Sequence, residues 1–347
     1  NFENQNSNDL IQDASLITNY NKNINTKYRI KINSALQTSK NYIQITKPND
    51  ELSYTNSLST NFNLEGFNLR KLDDQLNISL NFYQTNQENE DNKTIPTVFP
   101  KIKYFSGYHN QYGNISSSNF EFYNIFREKS TEVHAKKQQK FSHKYNVTEE
   151  ILKFNSKISL DAEIYNQIFN TDNKLISSDN YKTGSYYRLF PIFGISTESP
   201  FKLKKYKSNL TFKPSLHVVV TPGVSNSNRL SNEDSTNNDF SLNNIYVLNR
   251  YSGNDKMDNS KRITYGLSAY TTDYNVNLYQ SYEFTNNSNF HKEQGNDNNL
   301  SDLLGSIEYF KNNKILYNFR YDVNESYLKK QNVSLNAFTK YGEINLS

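Results

Sequence analysis

Cysteine and tryptophan are absent from this 347-residue sequence, methionine occurs once, and there are only 11 glycines and 7 prolines. Without cysteine, no disulfide and no thiolate site can form within these residues. Neither a Gly-x-Ser-x-Gly elbow nor a glycine-rich phosphate loop occurs, which removes the usual hydrolase and nucleotide-binding signatures. Long apolar runs are missing too: the longest, such as 245–248, hold about four residues, against the roughly 18 that a membrane-spanning helix needs. A transmembrane helix is thereby excluded, whereas a transmembrane barrel is not. The opening NFENQNSNDL has no initiator Met and no basic region followed by an apolar run, so the expectation is a piece of a longer chain.

Charge is nearly balanced, with 39 basic and 35 acidic residues spread along the chain for a net +4, and nothing in it demands nucleic acid. The five histidines, His109, His134, His143, His217 and His291, lie far apart and lack metal-ligand spacing. Acidic stretches such as 254–258 and 296–302 lack the spacing and central glycine of a calcium loop. No metal site, cofactor or catalytic group is therefore expected, and an enzyme is not the reading.

What the chain has in quantity is aromatic residues, 27 Tyr and 22 Phe, inside a composition that is only 35% hydrophobic with mean hydropathy −0.86. Disordered chains are poor in aromatics, whereas strands enrich for them. Period-two alternation recurs throughout. Leu76, Ile78, Leu80 and Phe82 alternate with Asn77, Ser79 and Asn81, and Ile158, Leu160, Ala162 and Ile164 with Ser159, Asp161 and Glu163. Near the end, Ile315, Tyr317, Phe319 and Tyr321 alternate with Asn318 and Arg320, so the first set is expected to face outward and the second inward. Segments of about ten residues separated by polar loops, such as 229–239, are the signature of an outer-membrane barrel. A soluble sandwich or solenoid gives the same alternation, and periodicity leaves these open. About 14 to 18 strands with roughly five lipid-facing residues each need roughly 70 to 90 apolar side chains, which a 35% hydrophobic chain of 347 residues can supply.

Prolines are confined to strand starts, edges and bulges, so Pro100, Pro191, Pro200, Pro214 and Pro222 are expected at strand ends. Arg250, Asp255, Lys256 and Arg262 form a mixed-charge group around a turn-rich stretch. That stretch is expected to join two strands as a hairpin, with Asp255 neutralising the arginines. The alternatives are a solvated loop, with pairs worth under about 1 kcal/mol each, and an interior network that holds a loop or a plug protein.

Several motifs occur in a telling order. Tyr187-Arg188-Leu189-Phe190-Pro191 precedes a strand led by Lys213-Pro214, and Asn232-Glu233-Asp234-Ser235 follows. Next come Arg250-Tyr251-Ser252-Gly253-Asn254-Asp255-Lys256, Arg262-Ile263-Thr264-Tyr265-Gly266, and Ser301-Asp302 before Leu303-Leu304-Gly305. This order resembles the C-terminal barrel of the LptD family, with Lys256 standing where that family usually has Arg. The resemblance implies an all-β fold, a large antiparallel transmembrane barrel, here incomplete, forming one domain over 1–347 without the family's periplasmic jellyroll and terminal strands. It implies insertion of lipopolysaccharide into the outer leaflet of a Gram-negative outer membrane, with an LptE-like plug lipoprotein and a periplasmic Lpt bridge as partners. Many members of the family also carry disulfides, which this stretch cannot form. A porin, a TonB-dependent receptor or a surface adhesin are the alternatives.

Overall fold

A computed structural model describes residues 13–87, 90–109, 114–177, 180–203, 209–223, 226–237, 239–285, 290–311, 313–339 and 342–346. Seventeen strands form one antiparallel sheet. Its first part holds β1 (Ser15–Asn23), β2 (Tyr28–Gln37), β3 (Ser57–Phe67), β4 (Gln75–Thr85), β5 (Thr97–His109), β6 (Ile115–Phe126), β7 (Lys137–Lys153), β8 (Ser156–Ser177) and β9 (Asn180–Glu198). Then come β10 (Phe201–Lys202), β11 (Thr211–Val220), β12 (Thr236–Asn237), β13 (Tyr251–Ser252), β14 (Lys261–Tyr270) and β15 (Tyr274–Glu283). The last four are β16 (Leu303–Tyr309), β17 (Asn313–Asp322), β18 (Tyr327–Thr339) and β19 (Gly342–Leu346). Helix is confined to α1 (Tyr42–Thr46) and short 3₁₀ turns. The strand number falls within the range expected from the alternation.

Each strand pairs with its sequence neighbour, except that β9 and β11 pair directly with β10 alongside, and β11 pairs with β14. The strands β12 and β13 pair only with each other. Among the described residues, β19 does not pair with β1, so the sheet is not closed.

Alternation sorts the side chains by face. On β9, Tyr187, Leu189, Phe193 and Ile195 are exposed on one side, while Arg188, Phe190 and Ile192 are buried on the other. On β8, Leu160, Ile164 and Ile168 are exposed, and Tyr165, Gln167 and Phe169 are buried. On β17, Ile315 is exposed with Tyr317, Phe319 and Tyr321 on its face, and Arg320 and Asp322 are buried on the inner face. No second sheet covers the exposed rows among the described residues.

Two expectations need correction. Pro200 and Pro222 do lie at strand ends, but Pro100, Pro191 and Pro214 sit inside β5, β9 and β11. Pro100 occupies a register shift between Val98 and Lys101. Pro191 pairs only with β8, because the β9–β11 ladder ends at Phe193, and Pro214 sits in the break between the β9–β11 and β10–β11 pairings, where its carbonyl still accepts the Ser199 amide. The missing N–H therefore removes no ladder bond on that side. The expected hairpin before β14 does not form either: both edges of β14 are taken, by β11 and β15. The stretch 245–250 is left to fold as a loop, with Ile245 buried against Phe240 and Leu304.

Connections are strongly unequal at the two ends of the sheet. One end carries turns such as 24–27, 154–155 and 271–273; the other carries 38–56, 86–96, 127–136, 221–260 and 284–302. In outer-membrane barrels short turns face the periplasm and long loops the outside. The longest connection here, 221–260, does not stand free but folds against the inner face.

Candidate functional site

The site is the place where loop 221–260 meets the inner wall. Two segments of the loop hold each other reciprocally. The Asp234 carboxylate accepts the amides of Asn254 and Asp255 at 2.9 and 2.8 Å. In return the Asp255 carboxylate accepts those of Glu233 and Asp234 at 2.7 and 3.1 Å. Ser235 Oγ accepts the amides of Asp255 and Lys256 at 2.8 and 2.9 Å, and Asn232 brackets the turn by bonding both the amide and the carbonyl of Ser235. Gly253 makes the approach possible. Its φ is +79°, and a Cβ there would lie 2.2 Å from the Asp234 carbonyl oxygen. The motifs Asn232–Ser235 and Gly253–Lys256 are thus two halves of one clasp.

Four strands grip the clasp. Lys140 on β7, fully buried, donates to Asp255 at 2.6 Å and to Asp234 at 3.1 Å. Tyr123 on β6 donates its hydroxyl to Asp255 at 3.0 Å and receives Gln138 at 2.8 Å. Arg188 on β9 reaches the carbonyls of Asn254 and Asp255 at 2.8 and 2.9 Å, while Gln167 on β8 accepts from its Nε at 2.8 Å. Arg127, just beyond β6, forms a bidentate pair with Glu233 at 3.0 and 2.6 Å. Burial pushes the Glu233 carboxyl up, but His134, Arg127 and Ser231 outweigh it and hold the pKa at about 2. Burial also raises Asp255, and the neighbouring Asp234 charge adds to that against Lys140. Asp234, more accessible, is held below its usual range by Lys140 and the two amides despite its burial.

A second network fixes the root of the loop. Arg250 pairs with Asp258 at 2.6 Å and with Glu283 on β15 at 2.8 Å, and its guanidinium lies 4.7 Å from the Phe290 ring centroid. Arg262 on β14 shares Asp258 at 3.1 Å and reaches the carbonyls of Val247 and Leu248. Burial works against the Arg250 charge, and Asp258 and Glu283 more than restore it, raising its pKa. Gly266, beside this root, leaves room for Tyr279, whose ring would meet a Cβ there at 1.8 Å. A third network closes loop 284–302: Arg320 and Lys329 flank Asp302 at 3.3 and 3.5 Å, Lys329 also meets Asp322 at 2.7 Å, and Ser301 Oγ accepts the Ser281 amide at 2.9 Å.

The structure separates residues that the sequence reading grouped. Arg250 and Arg262 converge on Asp258, and Asp255 pairs with Lys140; Asp255 does not neutralise the arginines. Lys256 contributes its amide to the clasp and lies 5.9 Å from the Tyr251 ring centroid. Pro191 and Pro214 are wall residues with no contact in the clasp. Lys140, Tyr123, Gln138, Gln167, Arg127, Asp258 and Glu283 were missed. Their one sequence signal is phase, because Tyr123, Gln138, Lys140 and Gln167 occupy inward positions of alternating strands. No group of three or more metal-ligating side chains occurs among the described residues. The side chain of His109 lies outside what is described, and His217 is buried 5.6 Å from Tyr246.

A family model described as LptD: LPS transport system D matches residues 14–347. No curated protein matches the chain. Among solved structures, one similar chain is "The crystal structure of BamA from Haemophilus ducreyi lacking POTRA domains 1-3". It is 8% identical with a TM-score of 0.34, over 83% of this chain and 67% of that one. Another, CdiB from Acinetobacter baumannii, is 12% identical with a TM-score of 0.33, over 84% of this chain and 56% of that one.

Proposed function

The chain belongs to the LptD family of LPS transport proteins, and from that premise we propose that it forms barrel wall in a Gram-negative outer membrane and helps to place lipopolysaccharide in the outer leaflet. The observation that carries this reading is the division of the sheet into an exposed apolar face and an inner face of buried charge. A lipid-facing band needs the first, and a lumen that passes sugars needs the second. In a soluble sandwich a second sheet would cover the apolar rows.

Loop 221–260 adds a seal. Its clasp holds it across the inner wall by charge-assisted bonds, so the resting wall is blocked rather than an open channel. The acyl chains of the cargo belong in the membrane and its sugars in the polar lumen; no bond is made or broken. An LptE-like lipoprotein and the periplasmic Lpt bridge are the partners this reading expects. The test is depletion of the protein in its own cell, with lipopolysaccharide on the surface measured by a label that cannot cross the membrane. Surface lipopolysaccharide is expected to fall as the protein falls, and entry of large antibiotics to rise. Unchanged surface lipopolysaccharide with altered uptake of small solutes or of a chelated metal would assign the barrel to a porin or receptor instead.

A further inference from the structure

Register lines up a row of small polar side chains across the inner face. Asn277 on β15 stands opposite Ser306 on β16, Ser306 opposite Asn318 on β17, and Asn318 opposite Asn332 on β18. All four share the inward phase of their strands, so the row crosses the wall over about 14 Å, three strand spacings. Asn277 donates to Ser306 Oγ at 3.0 Å, whereas the side-chain amides of Asn318 and Asn332 have no partner among the described residues. Loop 221–260 stands over this row. Between them lies a cavity of about 970 Å³, in the size range of ligand sites, covered by Phe240, Leu242 and Tyr246 of the loop together with Tyr279 and Leu304 of the wall. The rings of Tyr246 and Tyr279 meet edge-on at 5.5 Å, their hydroxyls bonded to Ser215 and Ser268 at 2.7 Å each, and both stay half-buried. A second cavity, of about 350 Å³, shares Asn277 and Tyr279 with the first and extends it past Asn275 to Thr271, at the end of the sheet that carries the short turns.

Charge does not choose the occupant of this groove. The charged residues that line the larger cavity are Asp239, Glu308, Arg320, Lys329 and Lys330. Lys330 pairs with Asp239, and Asp302 and Asp322, behind the lining, pair with Arg320 and Lys329 at 3.3 and 2.7 Å. In the smaller cavity Lys213 pairs with Glu198 at 3.1 Å. We infer that the groove binds uncharged sugar rings of the cargo, with the Asn318 and Asn332 amides holding neighbouring hydroxyls and the aromatic roof covering the C–H faces of the rings. The inference rests on the function proposed above and deepens it by naming the part of the cargo and the residues that hold it. A carboxamide presents a donor and an acceptor side by side, which is the pairing that two neighbouring hydroxyls need. An alkyl chain laid on the same row would strip water from the free amides and return no hydrogen bond. A second amide row, Asn33, Asn61 and Asn81 on β2–β4, lies on the same inner face but outside both cavities, and supplies the comparison.

The test uses the purified full-length protein with its native partners. The probe is saccharide released from the cell's own lipopolysaccharide, dephosphorylated and carboxyl-reduced so that no acid group remains. Binding is read by saturation transfer from protein to sugar protons over a concentration series. The neutral saccharide is expected to bind, and Asn318→Ala with Asn332→Ala to weaken binding about tenfold, the loss of two hydrogen-bonding amides. Asn61→Ala with Asn81→Ala is expected to leave it within about twofold of the parent. Asn332→Ala alone, at an exposed position, is expected to weaken binding about threefold and decides the matter should the double variant fail to fold. Absence of transfer to the neutral saccharide, transfer only to the untreated acidic saccharide, or equal weakening by the two amide pairs overturns the inference and leaves the proposed function standing. Failure of the function itself would show separately, as normal surface lipopolysaccharide after depletion.

Discussion

Removing the Asp255 carboxylate is expected to release the clasp while leaving the sheet intact. That carboxylate accepts two backbone amides, the Tyr123 hydroxyl and the Lys140 ammonium, all in a buried setting. In Asp255→Ala the amides of Glu233 and Asp234 and the tyrosine hydroxyl lose their acceptor, at about 1 kcal/mol or more each. Lys140 keeps Asp234 at 3.1 Å, so its charge is not orphaned. The sum is about 3–5 kcal/mol, in the range for a broken buried pair. Asp255→Asn, which preserves shape and one acceptor, is expected to cost about half as much. Hydrogen exchange on the purified full-length protein reads the local opening directly. Amides at 233–236 and 254–257 are expected to lose about a thousandfold in protection in Asp255→Ala, since ~1.4 kcal/mol is a factor of ten. Strand amides of β7 and β14 are expected to stay protected, and Asn332→Ala on the far wall serves as control. Protection of the clasp amides unchanged within twofold in Asp255→Ala would refute the reasoning.

Four further outcomes follow from the same geometry. Gly253→Ala is expected to open the clasp as fully as Asp255→Ala in the exchange experiment, because its Cβ would overlap the Asp234 carbonyl, whereas Gly223→Ala, at φ +90° with nothing near, costs only about 1 kcal/mol of backbone strain. Arg250→Lys keeps the charge but loses the fork that spans Asp258 and Glu283, and is expected to raise protease cleavage within 221–260 with a destabilisation of about 2 kcal/mol. Glu233 has a folded pKa of about 2 against an ordinary 4.5, so its contribution of about 3 kcal/mol is full above pH 4.5 and fades as pH falls toward 2. Loop cleavage by an acid-active protease should rise over that window, and Glu233→Gln should flatten the dependence. Tyr187→Lys places a charge on the exposed apolar row and is expected to cost about 2–4 kcal/mol in folding into lipid bilayers, measured by denaturant titration.

Alternation made much of this architecture legible. The rows at 76–82, 158–164 and 315–321 lie in strands, and 315–321 divides between the two faces as expected. Its success has a simple cause: with a period of two, one face cannot be chosen for lipid without choosing the other for the lumen. The loop was misread for an equally physical reason. Residues 245–248 look like a strand, but pairing needs a free edge, and β11 and β14 close directly on one another. The clasp was half visible: its acidic and glycine motifs stood out, while the Lys140–Asp255 contact spans 115 residues in a chain where lysine is common, so no local pattern distinguished it. Arg250, Asp255 and Arg262 are near in sequence, and proximity suggested one cluster. Burial separates them, because each buried charge needs an opposite charge within reach, and the two arginines find theirs in Asp258 while Asp255 finds its own in Lys140.

The most direct measurement of the central claim is transfer of labelled lipopolysaccharide into vesicles that contain the full-length protein, supplied by the periplasmic bridge in its loaded form. The label is expected to arrive in the vesicle membrane only when the protein is present, and to stop when a reversible cross-link between cysteines placed at Ala135 and Ser231 pins loop 221–260 to the connection 127–136 that leads into β7, where the Ala135 amide and Ser231 Oγ lie 2.7 Å apart. Reduction of the cross-link should restore transfer. Equal arrival in vesicles without the protein would contradict its role in transport, and full transfer with the loop locked would contradict the loop as the seal.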